Sequence, residues 1–147
     1  MLSKFKRSKH QQHLAQLPKL PQTVADVRTL YAPSDFRTTL LDAIANATQR
    51  IYLVALYLEH DDAGREILNA LYQAKQRRPE LEICVLVDWH RAQRGRIGAA
   101  AANTNADWYC AMAGQHPEQS VPIYGVPVNT REALGVLHLK GFVVDDT

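Results

Sequence analysis

Three consecutive stretches decide the fold: RIYLVALYL (Arg50–Leu58), DDAGREILNALYQAKQRR (Asp61–Arg78) and LEICVLVDW (Leu81–Trp89). After Arg50 the first is an unbroken run of aliphatic and aromatic residues, too short for a helix, and reads as a strand buried on both faces. The second opens on Asp61 and Asp62 and places Ile67, Leu68, Leu71 and Tyr72 on one helical stripe. Lys75, Arg77 and Arg78 complement the dipole at its C-terminal end, and Pro79 stops it. The third, after Glu82, is apolar again until Asp88. Strand, helix, strand at this spacing is the repeating unit of a parallel sheet.

Working outward, Ser34 to Thr48 shows helical spacing at Phe36, Leu40, Leu41, Ile44 and Ala47, with Ser34 as the expected cap. A third helix is expected over Asn103 to Ala113, ended by Gly114. Val121 to Val126 and Leu137 to Val144 are two more strand candidates, separated by a loop with Pro127, Asn129 and Gly135. The fold class is α/β, a mainly parallel sheet flanked by helices.

The 147 residues, 46% hydrophobic and 22% charged, have the mix of a soluble globular domain and exclude wholesale disorder, collagen and coiled coil. The longest apolar run, Ile51 to Leu58, is far short of the ~20 residues that span a bilayer. No apolar segment follows the basic first residues as it would in a secretory leader. Cys84 and Cys110 form neither a disulfide framework nor a metal spacing, which fits a reducing compartment.

The net charge of +2 hides an asymmetry. Lys4, Lys6, Arg7, Lys9 and Lys19 stand in the first 20 residues with no acid, which leaves 12 basic against 15 acidic side chains in the rest. Residues 1–22 therefore read as a basic N-terminal arm and residues 23–147 as the domain proper. Leu14, Leu17 and Leu20 give the arm a weak apolar side. Such a segment suits an anionic surface, lipid or nucleic acid, or is simply a solvated tail.

The chemistry is concentrated in HLKGFVVDD (His138–Asp146). On a strand, His138 and Lys140 point to the same face, Leu139 points into the core, and Phe142 shares the face of the pair. An imidazole can attack phosphorus or protonate a leaving oxygen, and an ammonium is a fixed charge for phosphoryl oxygens. Asp145 lies seven residues beyond His138 on the opposite parity. It is therefore expected to close the strand end or to orient another segment rather than to hold the imidazole.

The spacing H-x-K-x-x-x-x-D of His138, Lys140 and Asp145 matches the phospholipase D superfamily signature in full. A wider resemblance joins it. KHQQHLAQLPK, IYLVALYLEHDDAG, ILNALYQAK, VLVDWHRAQRGRIGAAAANTNADWYC and YGVPVNTREALGVLHLKGFVVDD closely resemble the N-terminal part of the phospholipase D-like phosphatidylserine synthases of the enterobacterial type. The resemblance implies the transfer of a phosphatidyl group from CDP-diacylglycerol to L-serine, with release of CMP. It implies His138, Lys140 and Asp145 as the catalytic motif. Two in-line displacements would run through a phosphatidyl-histidine, with His138 favoured as nucleophile and general acid as its other possible role. No cofactor and no metal are implied. Localisation is expected at the inner face of the bacterial cytoplasmic membrane, peripherally, with the arm on anionic lipid.

Members of that family carry two such motifs and a Gly-Ser-x-Asn-like stretch after each. Here one motif is present and the second half is missing from the chain, so the sequence reads as an incomplete phospholipase D-like domain. It is expected to be inactive by itself. Two other readings stand beside this one. A single-motif phosphodiesterase or nuclease would complete its site by homodimerisation, and a non-enzymatic module would only dock on anionic surfaces.

DWHRAQRGR (Asp88–Arg96) leaves the C-terminal end of a strand, where open α/β sheets bind ligands. Arg91, Arg94 and Arg96 suit the phosphates of a CDP group, or form a solvated basic loop. His90 reads as a surface histidine, and His10 and His13 as solvated residues of the arm. His60 beside Asp61 and Asp62 resembles a metal cluster only superficially, because a helix cap explains the aspartates. Trp108, Tyr109 and Met112 read as core, and Cys84 as a small buried residue of its strand.

Overall fold

The computed structural model describes residues 11–19, 21–94, 104–128 and 137–147. The chain forms two compact units, Met1–Tyr31 and Ala32–Thr147. In the first, residues 11–16 are helical and Val24–Asp26 is a 3-10 turn. Thr23 caps that turn by exchanging bonds with Asp26.

The second unit runs α1 (Pro33–Asn46), β1 (Arg50–Ala55), α2 (Asp62–Arg77), β2 (Glu82–Asp88), α3 (Trp89–Ala92), α4 (Asn105–Gln115), β3 (Ile123–Val126) and β4 (Gly141–Val144). The sheet order is β3-β2-β1-β4. β1, β2 and β3 are parallel, and β4 is antiparallel to β1 at one edge. The steps from β1 to β2 and from β2 to β3 go the same way across the sheet. Right-handed crossovers then put α2 and α4 on the same face.

Among the described residues one face of the sheet is therefore covered, where both faces were expected to be buried. Ile51 and Leu53 of β1 and Ile83, Val85 and Val87 of β2 are buried under the helices. Tyr52, Val54, Cys84 and Leu86 point to the other face and are only half-buried. Cys84 is half-buried, a correction to the small buried residue expected of its strand. Leu68, Leu71 and Tyr72 of α2 and Leu40 and Ile44 of α1 complete the core above the covered face. Burying each such side chain contributes about 1.5–3 kcal/mol.

The helix ends follow local chemistry. Asp61 caps α2 by accepting from the Gly64 N–H at 2.9 Å. At the other end Lys75 Nζ donates to the carbonyls of Pro79 and Leu81 at 2.6 and 2.7 Å. α1 starts at Pro33 with no side-chain cap, so Ser34 is inside the helix rather than its cap. Proline suits that position because its missing N–H has no intrahelical partner there anyway. α4 begins at Asn105 under a Thr104–Asp107 capping box and runs through Gly114 to Gln115. Arg37 and Glu66 form a two-pronged ion pair that clamps α1 to α2.

β1 stops at Ala55 rather than Leu58. The Leu56 carbonyl accepts from the Asp88 N–H at 3.0 Å. Both backbone groups of Leu58 bond the buried Tyr109 hydroxyl, which accepts from its N–H at 2.8 Å and donates to its carbonyl at 2.6 Å. Trp108 and Tyr109 are core residues, and Met112 packs against them. Among the described residues no helix is long and apolar enough to cross a membrane.

Candidate active site

The parallel strands point their C-terminal ends to one edge of the sheet. β1 delivers Leu56 to His60 there, and β2 delivers Asp88 and the α3 turn. β4 runs the other way, so its start lies at this same edge, with Gly141 opposite Val54. Residues 137–140 enter just before it. The topology therefore brings the His138 segment to the edge that carries the arginine turn, the place where ligands of open α/β sheets are held.

Residues 137–140 are not strand, which corrects the expectation of a strand from Leu137. β1 offers no ladder partner beyond Val54 for the segment before Gly141. The shared-face alternation of His138, Lys140 and Phe142 thus does not apply, and Leu139 is 63% exposed instead of buried. His138 and Lys140 are both exposed at the edge. Phe142 pairs with Leu53 and turns to the covered face, where its ring meets Phe36 with centroids 5.5 Å apart.

What fixes the approach of this segment is Asp88, a residue that the motif does not include. Its side chain is fully buried. Oδ2 accepts from the Leu137 N–H at 2.8 Å, and Oδ1 accepts from the Arg91 N–H at 2.8 Å. Burial pushes the carboxyl up. The N–H groups of Leu137, Arg91 and His90, with the nearby His90 ring, more than offset this and leave it below its ordinary value. A carboxylate accepts at two oxygens, so it can serve two loops at once.

The arginine turn starts at that carboxylate. Arg91 is half-buried, Arg94 and His90 are exposed, and Ala92 is buried beneath them. The Arg94 carbonyl accepts from the Asn105 N–H at 3.2 Å. Arg96 lies outside the described residues. Trp89 packs on Gly125 of β3, where a Cβ would stand 2.6 Å from the Trp89 ring, so only glycine permits this approach.

Asp145 is at the opposite end of β4 from His138. Its Oδ2 accepts from the Thr48 N–H and hydroxyl at 2.8 and 2.9 Å, and its Oδ1 from the N–H groups of Gln49 and Arg50 at 2.7 and 3.1 Å. These bonds, led by those from Gln49 and Arg50, hold its carboxyl far below the usual carboxylate range. The neighbouring Asp146 pairs with Arg50 at 2.9 Å. Asp145 thus ties the turn between α1 and β1 to the end of β4, in a left-handed backbone conformation with φ 51°. It orients another segment, as its parity suggested, and does not reach the imidazole.

At the tip of β1, His60 stacks on Trp108 with centroids 4.6 Å apart, and its N–H donates to the buried Asn105 side chain at 3.0 Å. Asp61 is committed to its cap. Among the described residues no group of three or more histidine, cysteine, aspartate or glutamate side chains comes together in a way that could hold a metal ion.

No protein-family model matches the chain. Across its whole length it is 73% identical to the CDP-diacylglycerol--serine O-phosphatidyltransferase PssA of Escherichia coli K12, of which it covers 33%. It is 46% identical to the Haemophilus influenzae protein of that name and covers 32% of it. It is 26% identical over 141 residues to a CDP-diacylglycerol--glycerol-3-phosphate 3-phosphatidyltransferase of Schizosaccharomyces pombe, covering 27% of that protein. Among solved structures, phosphatidylserine synthase from Haemophilus influenzae Rd KW20 superposes with a TM-score of 0.84 at 45% identity. That match covers 96% of this chain and 31% of that one. The chain spans about a third of the length of the curated relatives it matches. The resemblance read from the sequence thus extends along the entire chain, in sequence and in fold.

Proposed function

We propose that this chain carries the first motif of a CDP-diacylglycerol–serine O-phosphatidyltransferase and forms one half of its active site. The reaction converts CDP-diacylglycerol and L-serine to phosphatidylserine and CMP. The observation that carries this reading is the 73% identity along the whole chain, with His138, Lys140 and Asp145 at signature spacing. The placement of His138 and Lys140 beside the arginine turn, at the ligand-binding edge of the sheet, supports it.

His138 attacks the phosphorus that bears the diacylglycerol. A new N–P bond forms, the P–O bond to the departing nucleotide breaks, and CMP takes the electron pair. The serine hydroxyl then attacks the same phosphorus and gives up its proton to water, a new O–P bond forms, the N–P bond breaks, and the imidazole leaves with that electron pair and is regenerated. Lys140 neutralises the phosphoryl oxygens during both steps. Arg91, Arg94 and Arg96 hold the phosphates of the donor. The relatives named for serine and for glycerol-3-phosphate as acceptor are both named phosphatidyltransferases and share one named substrate, CDP-diacylglycerol. Both align with this chain, which favours assigning its arginines to the donor.

The decisive experiment follows CMP release and phosphatidyl transfer in the full-length protein. With donor labelled in its lipid phosphorus, wild type should yield a base-stable label on the peptide containing His138, discharged by serine. His138→Ala should carry no label. Label found on another residue, or release of CMP that ignores serine, would refute the assignment.

The donor is a membrane lipid, so the protein has to work at a bilayer surface. The basic arm, residues 1–22, docks there on anionic headgroups, at the inner face of the cytoplasmic membrane. Leu14 and Leu17 are exposed and available to the interface. Binding to vesicles of phosphatidylglycerol and phosphatidylcholine should weaken steeply with salt and with removal of residues 1–20. Unchanged binding after that removal would count against the arm.

A further inference from the structure

We propose that Asp88 is a positioning residue: one buried carboxylate ties the approach of His138 to the arginine turn. The inference rests on the function proposed above, since it assigns Asp88 a part in that same site.

Three observations carry it. Asp88 is fully buried at the end of β2, a place where an ionised side chain is costly unless its bonds are satisfied. No ion pair with Asp88 occurs among the described residues. Its compensation comes from backbone N–H groups of two separate segments, Leu137 just before β4 and Arg91 in α3, which Asp88 caps. Leu137 immediately precedes His138, and Arg91 is the first arginine of the turn. One side chain therefore sets the distance between the segment that attacks phosphorus and the segment that holds phosphate.

Geometry of this kind acts on rate more than on binding. Misplacing a nucleophile by about 1 Å can cost on the order of 100-fold. Asp88→Asn keeps shape and volume but offers one oxygen and one NH2 group. One of the two N–H groups then faces a donor and loses its acceptor.

The test is made in the full-length protein, below the melting temperature of the variant. In Asp88→Asn, kcat for serine-dependent CMP release should fall about 10–100-fold, while the KM for CDP-diacylglycerol changes less than about threefold. Wild-type kcat in folded Asp88→Asn would show a purely structural residue and overturn the inference. Should that variant not fold, Asp88→Glu, which moves both acceptors by one methylene, is read in the same way.

Hydrogen exchange gives an independent reading. CDP added to wild type should slow exchange in residues 137–140 together with residues 89–94, and in the variant only in 89–94. Slowing confined to 89–94 in wild type would overturn the coupling. A wild type without serine-dependent CMP release would sink the proposed function instead, and the exchange experiment would then decide the role of Asp88 alone.

Discussion

Asp88 and Asp145 are both carboxylates at strand ends, both spent on backbone N–H groups, and they stand at opposite edges of the sheet. Asp145 is part of the signature, yet it serves the turn Thr48–Arg50, far along the strand from His138. Asp88 is outside the signature, yet it holds the residue next to His138. Membership of a motif therefore does not measure nearness to chemistry. An aspartate at the far end of a short strand can belong to the motif and still serve the strand's position alone.

The comparison can be broken or sharpened by substitutions in the full-length protein. The largest effect belongs to the edge that carries His138. Lys140→Ala should lower kcat about 100- to 1,000-fold, the usual cost of one electrostatic contact to a transition state. A loss under tenfold would remove Lys140 from the phosphoryl group. Next comes the arginine turn. Replacing Arg91 and Arg94 together by alanine should raise the KM for CDP-diacylglycerol about tenfold or more, with kcat nearly kept. An unchanged KM would return the turn to the status of a solvated loop.

At the opposite edge the expected effects are smaller and of another kind. Asp145→Asn should lower the melting temperature by about 2–4 °C, as the loss of a cap does, and change kcat less than about threefold. A collapse of kcat in a well-folded variant would restore a direct catalytic part to Asp145. The smallest effect is in pH. Asp145 is held below its ordinary value of 3.8 in the folded protein. Its stabilisation is then complete above that value and is lost as pH falls through the lower, folded one. The melting-temperature gap between wild type and Asp145→Asn should be constant from neutral pH to about 5 and shrink below about 4. A gap that widened toward acid would reverse the sign of the argument.

Much of this could be read from the sequence, and the exceptions share a cause. The stripes of α2 and the apolar runs of β1 and β2 are period signals, and they placed the elements within a few residues. The ends moved where a tertiary bond took over the backbone. The Tyr109 hydroxyl takes both groups of Leu58, and Asp88 takes the N–H of Leu137, so neither residue joins a ladder. Periodicity carries no trace of such partners.

The signature itself singles out His138 and Lys140 as candidates and sets Asp145 apart by parity. Asp88 escaped notice because an acid that ends an apolar run looks like an ordinary strand stop. Its burial is a property of the loops folded over it. The even burial expected of both sheet faces failed for a topological reason, since the order β3-β2-β1 follows from which way each crossover steps.

That uneven covering supplies the molecule with a chemical reporter. Cys84 stands half-buried on the open face, between Tyr52 on one side and the edge of β3 on the other. In the 147-residue chain, whose two cysteines are Cys84 and Cys110, replacing Cys110 by serine lets a thiol reagent read that face alone. Its labelling rate becomes a gauge of whatever comes to rest there, taken from a side chain outside the motif.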